Sequence, residues 1–557
     1  MATPRTGGPP GREKEPAAIA TLSDEQIRDL GRYGSERDVQ ADEVLFRGGD
    51  VSYDFFAILS GRVAIVHDHG GPTEHTLVEH GPGRFLGEYN LLTGQPVYMS
   101  AVVREAGRVV ALSPEELHEV IAQEPALSEV ILRTFLLRRA MLLGKGFGLR
   151  LVGSRYSPDT RRLLRFCAQN RLPHSFLDVE SDETAEELLR QFKVPPEETP
   201  IAIAGQEVLR NPSNAELATV LGVARRQTTD VVDLLVVGAG PAGLAASVYG
   251  ATEGLTTLAV ESVAVGGQAG TSSRIENYLG FPAGLSGAEL AAKAALQAEK
   301  FDARISVPVE AVELREDEGL RVIRLADGGE IVARAIVIAT GARYRRLEVP
   351  RLEDFEGFGV YYMASEGEES ISAEDEVAVV GGGNSAGQAA LSLAARTGRV
   401  HLMIRRDDLE ETMSRYLADQ VLRHPQIELA PHTEVRELVG DGQLDGVTVE
   451  DNRDGTRREL PVRGLFVFIG AEPHTKWLAD QLALDRGGYI LTGRDLSTEG
   501  PPGGPPGPDR LPLETSMPGV LAAGDARSGS MKRVASAVGE GSMAVRLLHD
   551  QLDTLRS

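Results

Sequence analysis

Residues 233–261 read DLLVVGAGPAGLAASVYGATEGLTTLAVE. An apolar run of strand length, Leu234 to Val237, leads into G-x-G-x-x-G at Gly238, Gly240 and Gly243, with Pro241 and Ala242 between the last two glycines. An alanine-rich helical segment follows, and a second apolar strand ends in Glu261, 23 residues after Gly238. A glycine fingerprint alone carries little weight. Between a strand and a helix, with a carboxylate about 20 residues on, it specifies a nucleotide-binding βαβ unit. The glycines let backbone N–H groups approach a pyrophosphate, and the helix N-terminus adds positive partial charge. Glu261 is placed to accept hydrogen bonds from ribose hydroxyls.

The pattern recurs at 377–406, VAVVGGGNSAGQAALSLAARTGRVHLMIRR, with Gly381, Gly383, Asn384, Ser385 and Ala386 in the loop. Arg405 stands 24 residues after Gly381, followed by Arg406. The first unit thus has a carboxylate where the second has two guanidinium groups. A carboxylate repels a ribose 2′-phosphate and two arginines attract it, so the first unit reads as an FAD or NAD site and the second as an NADPH site.

Four further stretches assign FAD to the first unit by resemblance. GGQAGTSSRIENYLGFP (266–282) carries Gly267, Gln268 and Asn277, and IVIATGA (336–342) carries Thr340 and Gly341. LETSMPGVLAAGD ends in Gly524 and Asp525, and KRVASAVGEGSMAV (532–545) opens with Arg533 and Val534 near a helix start. In this order they resemble the thioredoxin-reductase-like flavoproteins across the last 330 residues or so. The resemblance implies an FAD domain of residues 230–346 and 465–557, interrupted by an NADPH domain at 347–464, in a homodimer. It also exposes a departure. Where that family carries C-A-T-C, this chain has Met363-Ala364-Ser365-Glu366, so Met363 and Glu366 stand beside the flavin in place of a dithiol.

Upstream, residues 39–113 alternate short apolar segments with glycine turns, the pattern of a small β-roll. FLGEYNLLTGQPVYMSAVV (85–103) resembles the ligand cassette of cyclic-nucleotide-binding domains. Gly87 and Glu88 match its ribose-binding pair, and Ser100 and Ala101 match its phosphate end. Met99 replaces the arginine that would hold the phosphate, a contact worth roughly 1.5–3 kcal/mol. A cyclic nucleotide or another small ligand is the expected partner. Four histidines, His67, His69, His75 and His80, fall in a hairpin-like stretch and are not expected to hold a metal.

Residues 147–226 read as strand, helix, strand, helix, strand and helix, and resemble the glutaredoxin and thioredoxin fold. The family's C-P-x-C falls on Ser157-Pro158-Asp159-Thr160, and Thr199-Pro200 sits where that family has a cis-proline. Hydroxyls do not cycle between dithiol and disulfide. The single cysteine of the chain, Cys167, fits the apolar face of the first helix.

The expected fold is therefore multidomain: residues 1–18 a disordered tail, 19–146 a cyclic-nucleotide-binding-like β-roll, 147–226 an α/β thioredoxin-like domain, then two Rossmann-like α/β dinucleotide-binding domains. A net charge of −24 argues against a nucleic-acid partner, and no run of 18 apolar residues predicts a membrane span. One cysteine in 557 residues suits a reducing, cytoplasmic compartment. The expected activity is NADPH-dependent FAD oxidoreduction without an internal dithiol, with no side-chain acid or base required and an electron acceptor outside the chain. A flavin-containing sensor of little turnover and a ferredoxin–NADP-reductase-type electron carrier are the alternatives.

Overall fold

The computed structural model describes residues 20–71, 74–145, 148–204, 207–224, 230–272, 275, 278–356, 359–362, 371–496 and 511–556. The N-terminal tail (1–18), Asn277, Met363 and Glu366 lie outside them. The chain divides into two compact units: Leu163–Val223 with the residues up to Arg155, and Tyr156–Arg162 with the residues from Ala224 onward.

In the first unit, two 13-residue strands, Phe55–His67 and Ser100–Leu112, pair antiparallel. Irregular register at Ile58/Ser60 and Ser60/Arg62 marks bulges, which bend a strand and increase its twist. Ser35–Val39 and His75–His80 flank the pair. Apolar side chains fill the roll, with Phe55, Phe56, Phe85 and Met99 among the largest that are fully buried. The helix Pro114–Gln123 opens with a capping box, Ser113 and Glu116 each bonding the other's backbone N–H, and Pro125–Lys145 follows it.

Residues 148–224 form a second module around a four-stranded sheet. Its spatial order is Glu207–Arg210, Ile201–Ala204, Leu149–Gly153, His174–Asp178. The last two strands are parallel and the others antiparallel. Helix Pro158–Gln169 follows the first strand in sequence, and Thr199–Pro200 is a cis peptide. Cys167 is fully buried beside Leu163 and Phe166.

The second unit holds two parallel sheets. In one, Arg304–Ser306, Thr257–Val260, Val232–Val237, Glu330–Ile338 and Val520–Ala522 run parallel, with two antiparallel strands at the far edge. Strands buried on both faces need continuous apolar runs, and Leu234, Leu235 and Val236 are each fully buried. The other sheet has the parallel order Val360–Tyr361, Gly464–Val467, Glu376–Val380, Arg399–Met403, Ile427–Ala430. The strand Gly464–Val467 corrects the expected boundary at 465. An apolar run there completes the second sheet, and the chain leaves it only at the ribbon that pairs Ala471–Pro473 with Ala342–Tyr344. No helix of the described residues is long and apolar enough to cross a membrane.

Candidate dinucleotide sites and the N-terminal pocket

The first glycine loop joins the strand Val232–Val237 to the helix Pro241–Thr252. Gly238 has φ +107°, and a Cβ there would overlap the Ala339 carbonyl. A Cβ on Gly243 would overlap the Gly238 carbonyl oxygen, so the helix is seated directly on the loop. Gly240 is the N-cap, leaving the first backbone N–H groups of the helix without a side-chain acceptor. Gly267, with φ +52°, approaches from the next segment: its Cβ would stand 3.1 Å from Gly240 Cα. This is a cradle of backbone from which side chains are excluded.

Glu261 closes the cradle. Oε2 accepts from Ala239 N at 2.8 Å and Oε1 from Val263 N at 2.9 Å. Each oxygen retains a lone pair for a hydroxyl donor. Beside it opens a cleft lined by Gly238, Val260, Val309, Thr340, His474 and Trp477, among others. Thr340 Oγ1 is buried there without a hydrogen-bond partner, as expected of a group waiting for a polar ligand atom. Burial, helped by Arg343, lowers the pKa of His474 and favours the neutral imidazole. Trp477 spends its Nε1–H on His474 O at 3.2 Å and offers the cleft an apolar ring. Sequence reasoning missed His474 and Trp477, because they lie more than 200 residues beyond Glu261 with no motif to mark them.

The remaining members of the predicted site converge on the same helix. Gln268 Nε2 donates to Ala342 O at 2.5 Å, which ties the 267–270 turn to the stretch after Gly341. Gly524, φ +73°, would place a Cβ 3.0 Å from Ala242 Cβ, and a Cβ on Gly541 would overlap the Ala242 carbonyl. The fingerprint at 524–525 and the helix Val534–Arg556 therefore both close on Ala242. Burial raises the carboxyl pKa of Asp525, with Lys532 opposing. Glu540 braces this corner: it accepts from Gly524 N at 2.7 Å and pairs with Arg527 at 2.6 Å. Arg533 is exposed just before the helix.

The second loop is built alike but lies more open. Gly381, φ +141°, faces the Phe468 carbonyl, and Gly383 caps the helix Asn384–Ala394. Ala386 is buried, whereas Asn384 and Ser385 are exposed. Asn384 Oδ1 accepts from Ser414 N at 2.7 Å, and Thr412 Oγ1 donates to Gly382 O at 2.7 Å. Arg405 and Arg406 are exposed at the end of the strand Arg399–Met403. They differ in a way the sequence did not reveal: Arg406 is paired with Glu411, while the Arg405 guanidinium has no partner among the described residues.

In the N-terminal roll, Glu88 Oε2 is buried with no hydrogen-bond partner among the described residues. Burial pushes its carboxyl up to about 7 despite the Arg138 and Arg139 guanidinium groups nearby. Arg138 donates to Gly87 O at 2.6 Å and to Phe85 O at 2.9 Å, bracing the Gly87–Glu88 turn from the long helix. Burial and the charges of Arg138 and Arg84 lower His80 to about 3. Met99 is buried, Ser100 accepts from Gly48 N at 3.0 Å, and Ala101 is buried in the strand that begins at Ser100. In the second module's first helix, burial pushes the Cys167 thiol up to about 12, which disfavours the reactive thiolate. Thr160 Oγ1 is buried without a partner at the start of that helix.

Comparison with known proteins matches residues 232–541 to the model of the pyridine nucleotide-disulphide oxidoreductases and residues 36–124 to that of the cyclic nucleotide-binding domain. The 34.2 kDa protein in the rubredoxin operon of Clostridium pasteurianum is 33% identical over 315 residues, 56% of this chain and 94% of that one. Thioredoxin reductase of Treponema pallidum is 32% identical over 326 residues, 58% of this chain and 98% of that one. NADPH-dependent thioredoxin reductase 3 of Arabidopsis thaliana is 31% identical over 321 residues, 56% of this chain and 57% of that one. Relatives of the thioredoxin reductase family use FAD and NADPH.

Proposed function

Since the chain belongs to the pyridine nucleotide-disulphide oxidoreductase family, we propose that it is an NADPH-dependent FAD oxidoreductase that passes electrons to an acceptor outside its own chain. One observation carries the reading. A single compact unit holds two glycine cradles, one closed by the anchored carboxylate of Glu261 and the other bordered by the exposed guanidinium of Arg405.

The residues of the first cradle fit FAD. Gly238, Gly240 and Gly243 with the helix N-terminus bind a pyrophosphate, and Glu261 takes ribose hydroxyls. The buried Thr340 hydroxyl offers an unspent hydrogen bond, and the His474–Trp477 wall encloses the cleft beside Glu261. Asp525 serves the polar chain of the cofactor, and the N-terminus of Val534–Arg556 lends positive partial charge. In the second cradle, Gly381, Gly383 and the exposed Asn384 and Ser385 receive the NADPH pyrophosphate, and Arg405 the 2′-phosphate. Bound FAD supplies the two-electron chemistry; the protein orients its two nucleotides and excludes water.

The sequence contains one cysteine, and it is buried with its thiol pushed up, so no dithiol of this chain continues the path. The strand order of the second module supports a thioredoxin-like assignment in which Ser157 and Thr160 stand at the redox positions. The N-terminal roll takes a small ligand that regulates the reductase. Anaerobic titration of the purified yellow protein with NADPH tests the reading: flavin bleaching at about one equivalent is expected. A flavin that stays oxidised for minutes in excess NADPH defeats it.

A further inference from the structure

The N-terminal pocket and the second module meet at one short segment of the first unit. Residues 94–98 link the turn Asn90–Thr93 to the strand Ser100–Leu112 and end just before Met99. The roll pins this segment: Asn90 Nδ2 donates to Pro96 O, Val97 N donates to Asp50 O at 2.9 Å, and Gly49 N donates to Val97 O at 2.7 Å. The second module covers it. A Cβ on Gly222 would come within 3.1 Å of Pro96 Cδ and 3.2 Å of Gln95 Cα, and one on Gly148 would stand 3.0 Å from Tyr98 Cδ1. Both glycines have positive φ, +65° and +123°, so backbone and space alike favour residues without a side chain at this seam.

Two consecutive arginines of the helix Pro125–Lys145 serve the two sides. Arg138 holds the carbonyls of Phe85 and Gly87 in the pocket turn. Arg139, 4.6 Å over the Tyr89 ring, donates Nη2 to Arg171 O of the second module at 3.2 Å. The Glu88 carboxyl interacts electrostatically with both arginines and with the Tyr98 phenol. Tyr98 thus feels the Glu88 carboxyl electrostatically and has Gly148 against its ring.

We propose that the second module is a reader seated on residues 94–98, so that its seating and the arrangement of the Glu88–Arg138 centre form one linked equilibrium. Whatever favours one arrangement of the segment then shifts the seating by the same factor, and the reverse holds. Such a role needs a surface that fits one loop conformation and needs no thiol, which agrees with a module whose single cysteine is buried. The seam lies at the Gly148 end of the strand Leu149–Gly153.

Hydrogen exchange read by mass spectrometry on the full chain tests the proposal. Tyr98→Ala is expected to raise exchange about tenfold in peptides covering 148–153 and 217–223, while Tyr98→Phe, which keeps the ring, leaves them at the wild-type rate. Glu88→Gln leaves residues 94–98 themselves unchanged and is expected to shift the same peptides about threefold. Slow exchange retained in Phe55–His67 and Ser100–Leu112 separates unseating from collapse of the roll. If Tyr98→Ala collapses the roll, Pro96→Ser replaces it with the same expectation. Unchanged exchange in the second-module peptides of the loop variant, or a Glu88→Gln effect confined to the roll, overturns the proposal.

Discussion

The two glycine cradles share a plan and differ in how they are held. Around the first, two carboxylates brace the backbone: Glu261 takes the amides of Ala239 and Val263, and Glu540 takes that of Gly524 while paired with Arg527. Around the second, the braces are the neutral Asn384 and Thr412, and the charged groups, Arg405 and Arg406, stand in solvent. Charge-assisted hydrogen bonds in a partly buried setting are about twice as strong as neutral ones. On the proposed reading, the firmer bracing of the first cradle suits a resident cofactor and the lighter bracing of the second a consumed cosubstrate.

The difference is sharpest at the third position of each fingerprint. Gly243→Ala forces a methyl into the Gly238 carbonyl, so the helix must retreat from the loop. We expect FAD affinity to fall at least ~100-fold, by several kcal/mol, measured as flavin retained after gel filtration and by titration of apoprotein. Ala386 already occupies the matching place in the second fold. Ala386→Gly is expected to cost only the helix-propensity difference of about 1 kcal/mol and to leave FAD binding unchanged. Equal losses in the two variants would remove the contrast.

Glu261 comes next. Glu261→Ala leaves the Ala239 and Val263 amides without their acceptor as well as any ribose hydroxyls. A loss of about 2–4 kcal/mol in FAD affinity is expected, with Glu261→Gln recovering roughly half because one oxygen remains an acceptor. Calorimetry on apoprotein reads both. Full FAD affinity in Glu261→Ala would mean that the carboxylate shapes the loop and does not bind the cofactor.

How much of this was legible in the sequence follows from what sets each feature. Gly238, Gly243 and Gly381 were readable because a positive φ or a backbone contact leaves a position almost no alternative to glycine. The parallel strands were readable as apolar runs, and the β-roll as alternation. Partner choice was not readable. That Glu411 takes Arg406, that Glu540 takes the Gly524 amide, and that His474 and Trp477 wall the cleft beside Glu261 all depend on how distant segments approach in space. The boundary placed at 465 failed for a related reason. The strand Gly464–Val467 is equally apolar whichever sheet it joins, and only its pairing with Glu376–Val380 and Val360–Tyr361 decides. At 94–98 nothing in composition separates a ligand loop from a seat for another module.

Smaller effects belong to the second cradle. Arg405→Ala removes this exposed cation and is expected to weaken NADP⁺ binding about 10- to 50-fold, roughly 1.5–2.5 kcal/mol, while leaving NAD⁺ unchanged. Calorimetry on the oxidised holoenzyme measures both ligands. A parallel loss for NAD⁺ would place Arg405 on the pyrophosphate and undo the charge contrast with Glu261.

Arg406 separates a matched sequence position from a matched role. Its charge is already shared with Glu411, so a 2′-phosphate recruits it only by displacing that carboxylate. An exposed pair of this kind is worth about 0–1 kcal/mol, so the displacement is cheap but the net gain is small. Arg406→Ala is therefore expected to weaken NADP⁺ by only about threefold or less, and Glu411→Gln to strengthen it by a similar factor. Glu411→Gln acts through Arg406, so in the Arg406→Ala background its effect should vanish; that coupling is measured by a double-mutant cycle on NADP⁺ affinity. Independent effects would mean that Glu411 repels the phosphate directly. The second cradle would then discriminate through the summed charge of its rim, including Asp407 and Asp408, and the single-residue comparison of Glu261 with Arg405 would describe only half of it.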